Sequence, residues 1–500
     1  MSHRSAADVP DGFHLETEIC VIGSGAGGGL AAGYLAEQGH SVVLLEEGQR
    51  VTASQMTQRE EQMYPLLYRD GGSQMTADGG ISVLQGRAVG GSTVINMADV
   101  VPIPPGVVQH WAQRFGVDRF SQADWDRAAG LAKAAIGANL IPADQLNDNA
   151  RILLRGGQAL GVSGAAFQHN RVGCIGSGYC LVGCAYDAKK GTHLTWIPRG
   201  LATGNMLLQS QARVTRLTWG GGRVRLAHGH LVDAQQRSLR PFTVKAERYI
   251  LAAGAIHSPL ILQASKLGGA QVGKHLSLQP QAPVSARFPQ PVRMFRGIPQ
   301  AAYLDGMETC TAEQGLGGFR IESVSATPGM AAASGVGWGP GLLEQFRAYD
   351  RLAAALCLVP DRPVGEVRLS GGRPVIAYPF GEETKHRLRS SIRLASEVFL
   401  SQGAECVFAP LVGLGPITSS ADLELIDRAP LRPASIQLIS AHPQGTCRMG
   451  PDPDTSVVDL DFRVHGVENL QVLDASVFPT TASSHTMLPV MQAALLGCGA

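Results

Sequence analysis

The chain has 500 residues, 44% of them apolar and 17% charged, the balance of a protein that folds around a core rather than one that stays disordered. A formal net charge of +1 leaves no chain-wide electrostatic footprint for nucleic acid or an anionic membrane surface. Nine cysteines scattered over this length make no disulfide framework, the stretch from Met1 to Leu15 has no apolar core of signal-peptide type, and no run of about 18 apolar residues occurs, so a cytoplasmic protein without a membrane span is expected.

The first predicted element is a short buried strand from Thr17 to Ile22. Gly23-Ser24-Gly25-Ala26-Gly27-Gly28 follows, then a small-residue helix from Gly29 to Glu37, then an apolar run from Ser41 to Leu45 that stops at Glu46. Strand, glycine turn, helix, strand and acid within about thirty residues make a dinucleotide-binding unit. Gly23 permits the tight turn, Gly25 lets backbone approach a pyrophosphate, and Gly28 lets the helix pack close to the strand. The helix start, with Ala26, offers free N–H groups and positive dipole to phosphate. Glu46 is expected to accept hydrogen bonds from ribose hydroxyls, in preference to its neighbour Glu47, because it ends the strand. This turn alone does not distinguish FAD from a nicotinamide.

Further along, residues 212–217 read as a strand containing Val214, and Leu251-Ala252-Ala253-Gly254 as a strand ending in a turn. Gly335 to Gly341 is turn-rich. Glu366–Leu369 and Pro374–Tyr378 read as a hairpin turning at Gly371-Gly372. Glu382 to Leu400 has helical spacing of Leu388, Ile392, Ala395 and Phe399. Together these suit a sheet roofing a cofactor, with helices behind it.

Gly86-Arg87-Ala88-Val89-Gly90-Gly91-Ser92-Thr93-Val94-Ile95-Asn96 resembles the first signature of the glucose–methanol–choline (GMC) oxidoreductases, and Gly254-Ala255-Ile256-His257-Ser258-Pro259, running on to Ser265 and Gly268, resembles the second. His442-Pro443-Gln444-Gly445-Thr446, Arg463-Val464-His465-Gly466 and Asp474-Ala475-Ser476 are further matches in the family's order. The resemblance implies an α/β chain: a Rossmann-like FAD-binding domain with an inserted α+β substrate domain built on an antiparallel sheet. It places the FAD domain at 14–105, 186–271 and 436–500, and the substrate domain at 106–185 and 272–435. It implies FAD in an extended pose, with Gly90, Gly91 and Ser92 against the flavin and Asn96 beside its ring. Val214 would lie at the adenine, Ala253 and Gly254 next to the cofactor, and Asp474 and Ala475 along the pyrophosphate and ribityl chain.

Oxidising an alcohol removes a proton from oxygen and a hydride from carbon; the hydride goes to flavin N5, and the proton needs a base titrating near neutrality. By the resemblance, His442 is that base and His485 the partner that bonds the substrate oxygen, although two coupled histidines can share the work the other way round. Thr486 follows His485 where the family usually has proline. His257 and His465 are expected to be structural. The substrate is expected to be a bulky aliphatic or alicyclic alcohol and the electron acceptor oxygen or a quinone. A redox-silent FAD lyase on the same scaffold stands as the alternative.

Cys174, Cys180 and Cys184 fall within eleven residues, and three readings stand side by side. One is a packed loop near the substrate entrance, of the kind found in long-chain alcohol oxidases of the family, which likewise carry Lys189 and Thr192 after it. Another is an iron–sulfur cluster, as in some sugar dehydrogenases of the family, which would bring a cytochrome partner. The last is a disulfide, disfavoured in cytoplasm. No mononuclear metal site is expected.

Overall fold

The computed structural model describes residues 3–9, 11–308, 310–315, 317–335, 337, 339–482 and 484–500; Val336 and Trp338 of the turn-rich stretch lie outside them. Strand β1 spans Phe13–Ile22 and helix α1 Ala26–Glu37. β2 is Val42–Leu45, β3 Met206–Gln209, β4 Ala212–Gly220, β5 Arg223–Val232 and β6 Ser238–Leu251. They form one sheet in the order β3-β2-β1-β6-β5-β4, parallel from β3 to β6 and antiparallel beyond. The continuous apolar runs Ile19–Ile22 and Val42–Leu45 are buried on both faces, as parallel strands require. β1 begins four residues earlier than the sequence suggests, because Phe13–Thr17 pair with Phe242–Ala246 on β6 while alternating in exposure, which no apolar run reveals.

α1 lies on this sheet so closely that only glycine fits at its contacts. A Cβ on Gly28 would stand 2.0 Å from the carbonyl oxygen of Gly23, and one on Gly27 1.9 Å from that of Leu473. Gly28 thus has the packing role its position in the turn predicts. Helix α2, Gly254–Ser265, follows β6 directly.

A second, antiparallel sheet contains β7 (Gln281–Arg287), β8 (Ala302–Leu304), β9 (Arg320–Ser323) and β10 (Leu352–Leu358), in the order β7-β10-β9-β8. On β10 the side chains alternate: Ala353, Ala355 and Cys357 enter a core with Leu388, Ile392 and Ala395 of α3 (Glu382–Ser401), while Leu352, Ala354, Leu356 and Leu358 face a cavity. This is the roof with a helix behind it. The hairpin Gly365–Ser370/Arg373–Ala377 does not join the roof: it pairs with Lys274–Leu276 in a sheet of its own, where Val367 and Ile376 share the core of Ile256 and Leu260 on α2. The chain closes with β11, Leu470–Val472, beside β6, and with α4, Met487–Cys498. Among the described residues no helix is long and apolar enough to cross a membrane.

Candidate active site

A cavity of about 1380 Å³ runs from the glycine turn after β1 to two imidazoles beneath the roof. Gly23, Gly25, Ala26, Glu46 and Gly91 line it, as do Ser92, Asn96 and Val214, and likewise Ala253, Gly254, Asp474 and Ala475. Gly90 does not. Its φ of +103° turns the chain, its N–H is donated to Ser24 Oγ, and a Cβ there would strike Val94 and His193, so it shapes the loop from behind rather than lying against a cofactor.

The cradle fits a dinucleotide phosphate. Gly25 caps the start of α1 on the cavity wall, and a Cβ built on it meets nothing within 4 Å, so a side chain there would occupy the space left for the ligand. The two carboxylates after β2 divide cleanly. Glu46 turns inward: Oε2 accepts from the N–H of Ser24 at 3.0 Å and from its hydroxyl at 2.6 Å, and Oε1 accepts from the N–H of Gly48 at 2.7 Å. It thereby ties the glycine turn to the strand end. Glu47 is held by Arg69 at 2.7 Å and Arg213 at 2.9 Å; burial pushes its carboxyl up, but the two guanidiniums win and keep it well below the usual carboxylate range. Asp474 accepts from the N–H of Gly254 at 2.9 Å and from the hydroxyl of Ser258 at 2.5 Å, so it fixes the turn between β6 and α2.

Two sequence expectations change. Asn96, expected beside the flavin ring, lines the cavity, but its N–H is donated to the Ser92 carbonyl at 3.1 Å, its Nδ2 to Met487 Sδ at 3.0 Å, and its Oδ1 accepts from the N–H of Ala98, so its backbone and side-chain donors already have partners. His257, expected to be structural, also lines the cavity, beside Glu47, Arg69 and Arg213; burial pushes it down to about 3, so it is neutral there. His465, by contrast, bonds Ser456 Oγ at 2.8 Å outside that cavity.

His442 and His485 meet on the wall with ring centroids 5.1 Å apart and planes 79° apart. His442 Nδ1 lies 2.6 Å from Gln279 Oε1 and 3.1 Å from Gln281 Nε2. Among the described residues its Nε2 has no partner. Burial holds this imidazole well below its ordinary basicity, and the neighbouring His485 adds to the effect. His485 titrates the other way: burial opposes its charge, but the carboxylate of Glu322, which accepts from Nε2 at 3.0 Å, raises it. One ring is thus biased to neutrality and the other to the imidazolium form.

Sequence reading missed the groups that create this difference. Glu322 is fully buried on β9 and its other oxygen accepts from Gln300. Asp99 lines the cavity with burial pushing it up to about 7, against His485 and Arg171. Glu322 stands between Ile321 and Ser323 in a stretch that also holds Arg320, so it carried no signal of a buried carboxylate. Gln279 and Gln281 carried none.

Cys174, Cys180 and Cys184 are free thiols around a space of about 10 Å³, with Arg171 and Lys189. Lys189, pushed down to about 8 by burial, donates to the carbonyls of Asn96 at 2.6 Å and Cys180 at 2.7 Å. Among the described residues no group of three His, Cys, Asp or Glu side chains is placed to hold a metal ion. The segment packs as a loop supporting Asn96; the iron–sulfur and disulfide readings, and a cytochrome partner with the former, have no support here.

Residues 64–281 and 361–494 match the GMC oxidoreductase family, and residues 21–87 an NAD(P)-binding Rossmann-like domain. An uncharacterized GMC-type oxidoreductase of Mycobacterium tuberculosis is 32% identical over 481 residues, covering 96% of this chain and 74% of that one. A long-chain-alcohol oxidase of Arabidopsis thaliana is 26% identical over 499 residues, covering 96% and 68%. The crystal structure of pyridoxine 4-oxidase from Mesorbium loti superposes with a TM-score of 0.71 at 21% identity, covering 96% of this chain and 98% of that one. The chain belongs to the GMC oxidoreductases and is an FAD-dependent oxidoreductase acting on CH–OH donors.

Proposed function

We propose that the protein oxidises an alcohol with a bulky aliphatic or alicyclic body to the aldehyde or ketone, using His442 as base and His485 as the donor that holds the substrate oxygen. The observation that carries this is the pair of imidazoles meeting edge to face on one cavity wall, one against the amides of Gln279 and Gln281 and the other against the carboxylate of Glu322. FAD, when bound, accepts the hydride from the carbinol carbon. The protein's residues do the rest. Neutral His442 presents Nε2 to the hydroxyl and takes its proton. The His485 imidazolium, charged by Glu322, stabilises the alkoxide character that develops on the oxygen. The cofactor contacts proposed are Gly23, Gly25, Ala26, Glu46, Gly91, Ser92 and Asn96, with Val214, Ala253, Gly254, Asp474 and Ala475.

The substrate's apolar body is supported by the wall beyond the imidazoles, which Met294, Val324, Leu352, Ala354, Leu356 and Phe408 build. Oxygen or a quinone accepts the electrons. The residue blocks 106–185 and 272–435 are proposed to supply the substrate side.

The test is anaerobic flavin bleaching across a panel of alcohols, followed for the parent and for His442→Ala. The variant is expected to keep its FAD and to lose about a thousandfold in bleaching rate. A parent-like rate would remove His442 from the chemistry, and bleaching by no alcohol would favour the redox-silent lyase.

A further inference from the structure

We infer that Gln279 is a positioning residue whose side-chain carbonyl fixes His442 in its Nδ1–H tautomer, and that buried Asp361 holds Gln279 in the strained backbone from which it does so. The inference rests on the reading of His442 as base.

Gln279 is fully buried with φ of +49°, the left-handed region that non-glycine residues rarely occupy. Pro280 follows it, and a residue before proline prefers extended backbone. Strain of this kind persists only where neighbours over-determine it. Here they do. Asp361 Oδ1 accepts from the N–H of Gln279 at 2.9 Å, and its Oδ2 accepts from the N–H of Leu278 at 2.9 Å and the hydroxyl of Tyr378 at 2.7 Å. On the other side Ser277 exchanges both backbone hydrogen bonds with Gln444, at 2.9 and 3.0 Å, and Ser440 donates its hydroxyl to the Leu278 carbonyl. Gln444 is two residues from His442. The amide of Gln279 and the ring of His442 are therefore carried by two segments tied backbone to backbone.

The ring nitrogen between them has two competing neighbours. Gln279 Oε1, at 2.6 Å, can only accept; Gln281 Nε2, at 3.1 Å, can only donate. A proton on Nδ1 satisfies Gln279 and leaves Nε2 as a base. A proton on Nε2 satisfies Gln281 and abolishes the base. The shorter contact decides for the first state. The strained turn is what brings Oε1 that close. The charged groups facing His442 are few: His485 edge-on beside it, with Glu322 and Asp99 behind that ring, and Asp361 behind Gln279.

The test uses the full FAD-loaded protein as parent, Gln279→Leu, Gln279→Glu and His442→Ala. Bleaching by alcohol is followed against pH, and the ring nitrogens are read by ¹⁵N chemical shift in histidine-labelled protein, with the His442 signals assigned by their loss in His442→Ala. Gln279→Leu is expected to lose about 100-fold in limiting rate with KM little changed, and its Nδ1 signal to move to the unprotonated position. Gln279→Glu keeps an acceptor in place, so it is expected to retain the Nδ1–H signal and to shift the acid limb of the rate upward by about one pH unit. A Gln279→Leu protein with parental rate and shifts, beside an inactive His442→Ala, overturns the inference and leaves the base intact. If His442→Ala itself bleaches normally, the base assignment fails instead. Should Gln279→Leu not fold, an unmoved acid limb in Gln279→Glu decides against the inference.

Discussion

His485 and Glu322 form a buried pair in which ring Nε2 donates to Oε1 at 3.0 Å, the carboxylate fully enclosed and its second oxygen bonded by Gln300. Strand β9 supplies both this carboxylate and Arg320, which bonds Ser484 Oγ at 3.1 Å and pairs with Glu308, so one strand fixes the His485 loop at two successive residues. Glu322→Gln keeps the hydrogen bond and removes the charge. Losing a charge-assisted bond is worth about 2 kcal/mol, so flavin reduction is expected to slow by about 30-fold. FAD content stays unchanged. A variant as fast as the parent would show that His485 need not be charged.

On their proposed roles, the same two rings govern the pH dependence. His442 is held well below 6.5 by burial, so it stays deprotonated until the solution is distinctly acidic, and the ascending limb of the rate lies well below pH 6.5. His485 is raised above 6.5, mainly by Glu322 working against burial, so it keeps its proton through neutrality and loses it only as pH climbs past that raised value. The reduction rate should form a plateau spanning neutrality and fall on the alkaline side. In Glu322→Gln the alkaline limb should move to lower pH. A profile that rises monotonically through pH 6–9 would contradict the assignment of charge to His485.

Two glycines of the same turn separate folding from cofactor binding. At Gly25 a Cβ meets nothing within 4 Å and φ is −64°, comfortable for any residue, so Gly25→Val is expected to leave the apoprotein's melting temperature unchanged and to abolish FAD retention. At Gly28 a Cβ would sit 2.0 Å from the Gly23 carbonyl, so Gly28→Ala is expected to lower the melting temperature of the apoprotein itself, by the few degrees that about 1–3 kcal/mol of overpacking produces. FAD titration and thermal unfolding of the two apoproteins distinguish the roles; equal melting losses would mean the turn is read wrongly.

Much of the cofactor side was legible because its residues are local. Gly23, Gly25 and Glu46 lie within one strand–turn–helix unit whose spacing carries the chemistry, and twelve of the fourteen residues expected at the cofactor line the cavity. Gly28 packs behind it as its place in the turn requires, while Gly90 fell outside because a glycine pair does not reveal which member faces the ligand. The groups that tune the histidines come from far away in the chain. Glu322 reaches His485 across 163 residues and Gln279 reaches His442 across the same interval, and no periodicity links such pairs. The hairpin at Gly371-Gly372 was readable as a hairpin, but its partner strand, Lys274–Leu276, is set by burial against α2 and not by anything local.

The roof offers the sharpest handle on substrate size. Along β10 the side chains alternate, Ala354 facing the cavity and Ala353 the core behind, so two adjacent alanines differ only in which space they border. Ala354→Phe adds a ring to the apolar wall beyond the imidazoles, in the cluster of Met294, Leu352 and Phe408. It is expected to raise KM for 1-dodecanol about tenfold, the effect of losing roughly 1.4 kcal/mol of binding, while 1-butanol is affected far less. Ala353→Phe places the same ring into a filled core. It is expected to destabilise the fold by about 1–3 kcal/mol without changing the preference between the two alcohols. Steady-state kinetics on both substrates, beside melting curves, check the pair. If Ala354→Phe weakens both alcohols equally, the aliphatic chain does not pass the wall that Ala354 shares with Met294 and Phe408.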